Sequence, residues 1–117
     1  MKKNEIKMKE GRYVICVPGR FIPEYGEDTE DRKFEWYFLG TDDGPMGSGY
    51  PVFTSFEISA RSFMNAKDAR ESFEKNRSML KKYYKNNKRY EFKWDMLGIR
   101  QIQMTPFIVD DKNKLVL

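Results

Sequence analysis

Residues 65–85, NAKDARESFEKNRSMLKKYYK, set the terms for the whole chain. Ala66, Ala69, Phe73, Leu80 and Tyr84 recur at helical spacing among polar and charged neighbours, which predicts one amphipathic helix with a single apolar stripe. Asn65 is placed to cap it and Asp68 follows three residues on, a start signal of the ordinary kind. The helix is expected to end near Lys85, where Asn86-Asn87-Lys88 offers residues that tolerate a left-handed stop. One stripe cannot be buried by itself; it needs a facing layer, and the rest of the chain reads as strands.

RYVICVP (12–18) is apolar through its middle and predicts a central strand, stopped by Pro18-Gly19. KFEWYFLG (33–40) alternates, with Phe34, Trp36 and Phe38 on one face and Lys33, Glu35 and Tyr37 on the other. YPVFTSFEISARSF (50–63) holds one or two extended pieces in which Phe56, Ile58 and Ala60 share a face. After the helix, YEFKWDM (90–96) sets Tyr90, Phe92, Trp94 and Met96 against Glu91, Lys93 and Asp95. IRQIQM (99–104) and FIV (107–109) continue the sheet, and DDKNK (110–114) turns into a short LVL. The expected fold is α+β: an antiparallel sheet of about five or six strands with one long helix on one face. Phe73, Leu80, Trp36 and Trp94 are expected to point inward, and the lysine-rich first eleven residues to form a flexible arm on a single domain.

Composition narrows the function classes. With 39% apolar and 15% aromatic residues the chain has material for one core. No stretch has the length of an uncharged membrane span, and the start lacks the apolar run of a signal peptide, so a cytoplasmic location is expected. There is no histidine and one cysteine, which removes the commonest metal ligand and general base and rules out an internal disulfide. Cys16 lies mid-strand in RYVICV and reads as a small core residue. Ser55, Ser59 and Ser62 have no histidine to activate them, and Asp42-Asp43 lie in turn sequence, a poor setting for a shifted pKa. Neither a catalytic constellation nor a metal or cofactor site is expected. GTDDGPMGSGYP (40–51) is glycine-rich, yet no Lys-Ser/Thr and no helix follow it, so it is expected to turn the chain rather than cradle phosphate.

Charge is the informative feature. Residues 20–45 carry eight acids against three bases, a net of −5, whereas 61–89 carry ten bases against three acids, a net of +7. The overall +4 hides an acidic loop and a basic helix. Glu27, Asp28, Glu30 and Asp31, with Asp42 and Asp43, are candidates for contacting a basic protein surface. Lys81, Lys82, Lys85, Lys88 and Arg89 are interleaved with tyrosines in KKYYKNNKRY (81–90), the combination that a nucleic-acid surface uses.

At residues 53–76, FTSFEISARSFMNAKDARESFEKN, an aromatic strand leads through Ala60 and Phe63 to a cap at Asn65 and then Ala69 and Phe73. This layout resembles small phage and prophage accessory proteins of low-GC bacteria, the anti-CRISPR-like inhibitors among them. The resemblance implies a sheet-plus-helix fold and a non-enzymatic binding protein of a mobile element, inhibiting a host defence nuclease or nuclease–RNA complex by protein–protein contact. The alternative is direct nucleic-acid binding through the basic helix end.

Overall fold

The computed structural model describes residues 11–22, 33–41, 50–56, 59–102 and 114–117. Its axis is β1 (Tyr13–Phe21), which is paired along both edges. On one side it meets β2 (Glu35–Thr41) antiparallel, from Cys16 opposite Phe38 to Gly19 opposite Glu35. β3 (Pro51–Thr54) then pairs with β2, Thr41 opposite Pro51, as expected of a glycine-rich stretch that turns the chain back. On its other side β1 meets two short strands end to end: β4 (Tyr90–Phe92) along Gly19–Phe21 and β5 (Gly98–Gln101) along Tyr13–Cys16. Together with α1 (Ala66–Tyr84) they form an α+β fold, a five-stranded antiparallel sheet with the helix against one face.

The strand ends differ from expectation for a reason that lies in β1. Pro18-Gly19 does not stop the strand, which runs on to Phe21. The carbonyl of Arg12 accepts from Ile102 and the amide of Ile22 donates to Arg89, so the even-numbered residues of β1 direct their polar groups towards β4 and β5. Pro18 is one of them: its carbonyl accepts from Lys93 N–H at 2.9 Å, but it has no N–H to return. At that gap the facing chain leaves the ladder. Between the Gly19–Phe92 and Cys16–Gly98 pairs, five residues (93–97) stand opposite Val17 and Pro18. The three in excess form a 3-10 turn, Trp94–Met96, closed by Met96 N–H to Lys93 O and Leu97 N–H to Trp94 O. YEFKWDM is therefore strand only over its first three residues.

Gly19 has a second use here. A Cβ on it would meet the Phe92 ring at 2.5 Å and Tyr37 at 3.2 Å, so the missing side chain lets that ring lie against β1. At the other end β1 and β2 separate, and residues 59–63 enter between them. Gly40 bridges Ala60, Arg61 N–H donates to Leu39 O at 3.0 Å, and Tyr13 and Phe63 exchange two 2.8 Å hydrogen bonds. Arg12 fastens the insertion by donating to Ser62 Oγ and Ser62 O, each at 3.0 Å.

Both faces of the sheet are covered. Ile15, Val17, Tyr37, Leu39 and Phe53 form the helix-side core with Ala69, Phe73, Leu80 and Tyr84, the expected helix stripe. Val14, Cys16, Phe38 and Ile102 are buried on the opposite face, with half-buried Trp36 against them. The alternation in 33–40 holds, but Tyr37 belongs to the helix-side core and Trp36 faces away from the helix, because both faces of β2 are covered and aromatic residues serve each. Phe34 is half-buried at the margin of the outer face, with Arg20 4.5 Å and Lys93 4.3 Å from its ring centroid. Phe56, expected to share a face with Ala60, is 70% exposed beyond the end of β3, and Ile58 lies outside the described residues. FIV (107–109), most of DDKNK and the first ten residues also lie outside them.

Asn65 caps α1 as expected: its Oδ1 accepts from Asp68 N–H at 2.8 Å. The helix ends at Lys85, but Lys85 keeps right-handed dihedrals, and among the described residues no non-glycine has positive φ. Tyr84 anchors this end of the helix. Its ring lies among Phe53, Phe92 and Trp94, with centroids 5.3–6.1 Å away, and its hydroxyl accepts from Phe53 N–H at 2.8 Å. That N–H points away from β2 along the sheet edge, where Pro51 has none, so neither position offers a donor to a further strand. Burial pushes the Tyr84 phenol up to about 12, against the lowering pull of the Phe53 amide. A folded-state pKa above the usual value near 10 means stability present below pH 10 and lost as pH climbs through 12. Tyr84→Phe should cost about 1–3 kcal/mol in urea titration at neutral pH, through the orphaned Phe53 amide, and should lose less stability between pH 10 and 12 than the parent. A cost below about 0.5 kcal/mol would show that the hydroxyl does not latch this edge.

Candidate functional site

The described surface concentrates positive charge at the C-terminal end of α1. Lys81, Lys82, Lys85 and Lys88 are exposed, and none makes an ion pair among the described residues. Arg89 is exposed beside them, and its amide bonds the Asn87 side chain, which shapes the exit from the helix. Lysines in the last turn complement the partial negative charge of a helix C-terminus. Lys88 and Arg89 lie beyond that turn and extend the patch past what the dipole requires.

Two of these lysines border a groove. It has a volume of about 540 Å³ and is lined by Lys81, Lys85, Trp94, Asp95 and the tail Lys114–Leu117. Three elements make it. Arg77, Lys81 and Lys85 follow one another at four-residue intervals and so share one side of α1. Arg77 Nε donates to Val116 O at 3.0 Å and fixes the tail to the helix. Leu115 N–H donates to Leu97 O at 3.0 Å, Lys114 bridges Gly98, and the Leu115 side chain is buried in the core. The 3-10 turn supplies the remaining wall. Trp94 is half-buried, its ring 4.8 Å from Phe92 and 5.8 Å from Phe53, so a fixed indole borders the groove. Lys81, Lys85 and Lys114 face the single side-chain carboxylate of Asp95 there.

The sequence candidates divide accordingly. Lys81 and Lys85 come together with Trp94 rather than with the tyrosines interleaved among them in the sequence. Tyr84 is core and Tyr90 is packed against it, while Tyr83 is 56% exposed on α1. Lys82, Lys88 and Arg89 broaden the patch without lining the groove. Glu27, Asp28, Glu30, Asp31, Asp42 and Asp43 lie outside the described residues. Sequence reasoning missed Asp95 and Lys114, and placed Trp94 wholly in the core; nothing local to those residues signals that the chain leaves the ladder opposite Pro18.

The other chemically notable groups are inward. Cys16 is fully buried, as expected, and burial raises its thiol to about 11 despite the nearby Arg100. Arg100 is itself buried, donating to Met96 O at 2.7 Å and Cys16 O at 3.2 Å, its guanidinium 4.6 Å from the Trp36 ring centroid. Among the described residues no group of three or more His, Cys, Asp or Glu could hold a metal, and no helix is long and apolar enough to cross a membrane. Comparison of the chain with family models, with curated proteins and with solved structures found no match. A thiol reagent at pH 8 should leave Cys16 unmodified in the native protein and label it promptly in denaturant. Fast native labelling would place the thiol at an accessible site instead.

Proposed function

We propose that this chain is a non-enzymatic nucleic-acid-binding protein whose contact surface is the basic end of α1. The observation that carries this reading is the set of exposed lysines at 81, 82, 85 and 88, unpaired among the described residues, two of which border a groove with an indole in its wall. Unpaired surface ammonium groups attract phosphate and release condensed counterions when they meet it. Aromatic rings beside them add the stacking on which bases are held. Among the described residues no helix-turn-helix or zinc module accompanies them, which favours backbone recognition over reading of a defined sequence. The inhibitor reading, with Asp28 and its neighbours meeting a host nuclease, rests on the sequence alone, since those carboxylates lie outside the described residues.

Lys81→Glu combined with Lys85→Glu should weaken binding to single- and double-stranded oligonucleotides and flatten its salt dependence. Each lost phosphate contact should reduce the slope of log affinity against log salt by about 0.7–0.9. Absence of binding by the parent protein to DNA or RNA at low salt would overturn the proposal.

A further inference from the structure

We infer that the groove between α1, the 3-10 turn and the tail holds one unstacked base of a single strand, with the flanking phosphates on Lys81, Lys85 and Lys114. This rests on the nucleic-acid reading above and narrows it to single strands. Lysines alone would serve any polyanion, so the other groups in the groove are the ones that discriminate. Trp94 offers an indole packed against Phe92 and Phe53. A ring fixed in this way stacks on a base with little ordering cost, because it is already in place. Leu115, Val116 and Leu117 add an apolar lining suited to a flat heterocycle. Asp95 brings the one acidic side chain among three lysines; a side-chain carboxylate is out of place in a site for bare phosphate but accepts a hydrogen bond from the amino or imino N–H of a base.

In a duplex the faces of the bases are stacked on one another, whereas a single strand can present them to an aromatic platform. Lys81 and Lys85, one helical turn apart along the axis by about 6 Å, can then follow the backbone of that strand on either side of the base. A further cavity, along the N-terminal half of α1, lacks this combination. Arg61 and Lys75 are balanced there by Asp68 and Glu71, with Phe63 as the one ring. A mixed-charge hollow of that kind has no preference for a polyanion.

The test uses the full chain, a short labelled oligothymidylate and a duplex of equal length, titrated by fluorescence anisotropy at low salt. The single strand should bind more tightly. Trp94→Ala should weaken single-strand binding roughly tenfold, within the range that stacking of one base supplies, and leave duplex binding unchanged. Because Trp94 also packs on the core, a Trp36→Phe protein, in which Trp94 is the sole indole, supplies a second readout. Its fluorescence should be quenched by oligothymidylate and not by polyglutamate or anionic vesicles. Equal affinity for duplex and single strand, or an indole signal unchanged on binding, would overturn the base site while leaving the basic surface intact. Quenching by polyglutamate or vesicles to the same extent would reduce the groove to a general polyanion site. No binding of either oligonucleotide would overturn both this inference and the nucleic-acid reading.

Discussion

Pro18 brings a carbonyl but no amide proton to the most heavily paired strand of the sheet, and the architecture around it follows from that absence. β1 is hydrogen-bonded on both edges, so a missing donor in it is felt by whichever chain lies opposite. On the β4–β5 side that chain donates one bond, from Lys93 N–H to Pro18 O, and then leaves, rejoining β1 three residues out of register. The excursion preserves the pleat. Phe92 and Leu97 both return to the helix-side core, and Gly98 lies opposite Cys16. The sheet thus tolerates the turn at small cost to its packing, and the turn places Trp94 and Asp95 beside the basic end of the helix. Fold and candidate site are joined at this point.

The remaining stability comes from close approach and from a latch. Phe92 lies against Gly19, and Gly40 lies so close to the carbonyl of Ser59 that a side chain there would collide with backbone. Each glycine occupies a position where another strand or ring must come nearer than a Cβ permits. Tyr84 joins the two layers at the opposite margin, its ring in the aromatic cluster and its hydroxyl on an edge amide of β3. A buried donor at a sheet edge is costly when unpaired, which explains why a polar aromatic rather than phenylalanine occupies that place in the helix stripe.

Much of this layout was legible from the residues. The cap at Asn65, the stripe through Phe73 and Leu80, the central strand around Ile15 and the burial of Cys16 all follow from local periodicity, and local periodicity decides them. What was not legible depends on partners distant in the chain. Pro18-Gly19 has the composition of a turn, yet the proline faces a gap and the glycine faces a ring. Trp94 completes an alternating run, yet it lies where the ladder is broken by a residue 76 positions earlier. Alternation sets Trp36 and Tyr37 on opposite faces, as found, but does not say that Tyr37's face meets the helix, and here both faces are covered. The basic end was visible as composition; its groove was not, since Lys114 and Trp94 are brought to Lys81 and Lys85 only by the tertiary fold.

If the missing Pro18 donor is what releases the facing chain, Trp94–Met96 are surplus to the pairing on either side of them. The direct test is native-state hydrogen exchange on a chain lacking those three residues. Joining Lys93 to Leu97 puts the β5 segment into the register that β4 already has with β1, with the inward and outward alternation intact. The amides of Val14, Cys16, Gly98 and Arg100, which pair across β1 and β5, should stay protected, with some loss of overall stability from the missing indole and from Arg100 losing its Met96 carbonyl acceptor. Rapid exchange of these amides while the β1–β2 pairing remained protected would contradict it, and would show that the turn is required for the second edge of the sheet to form.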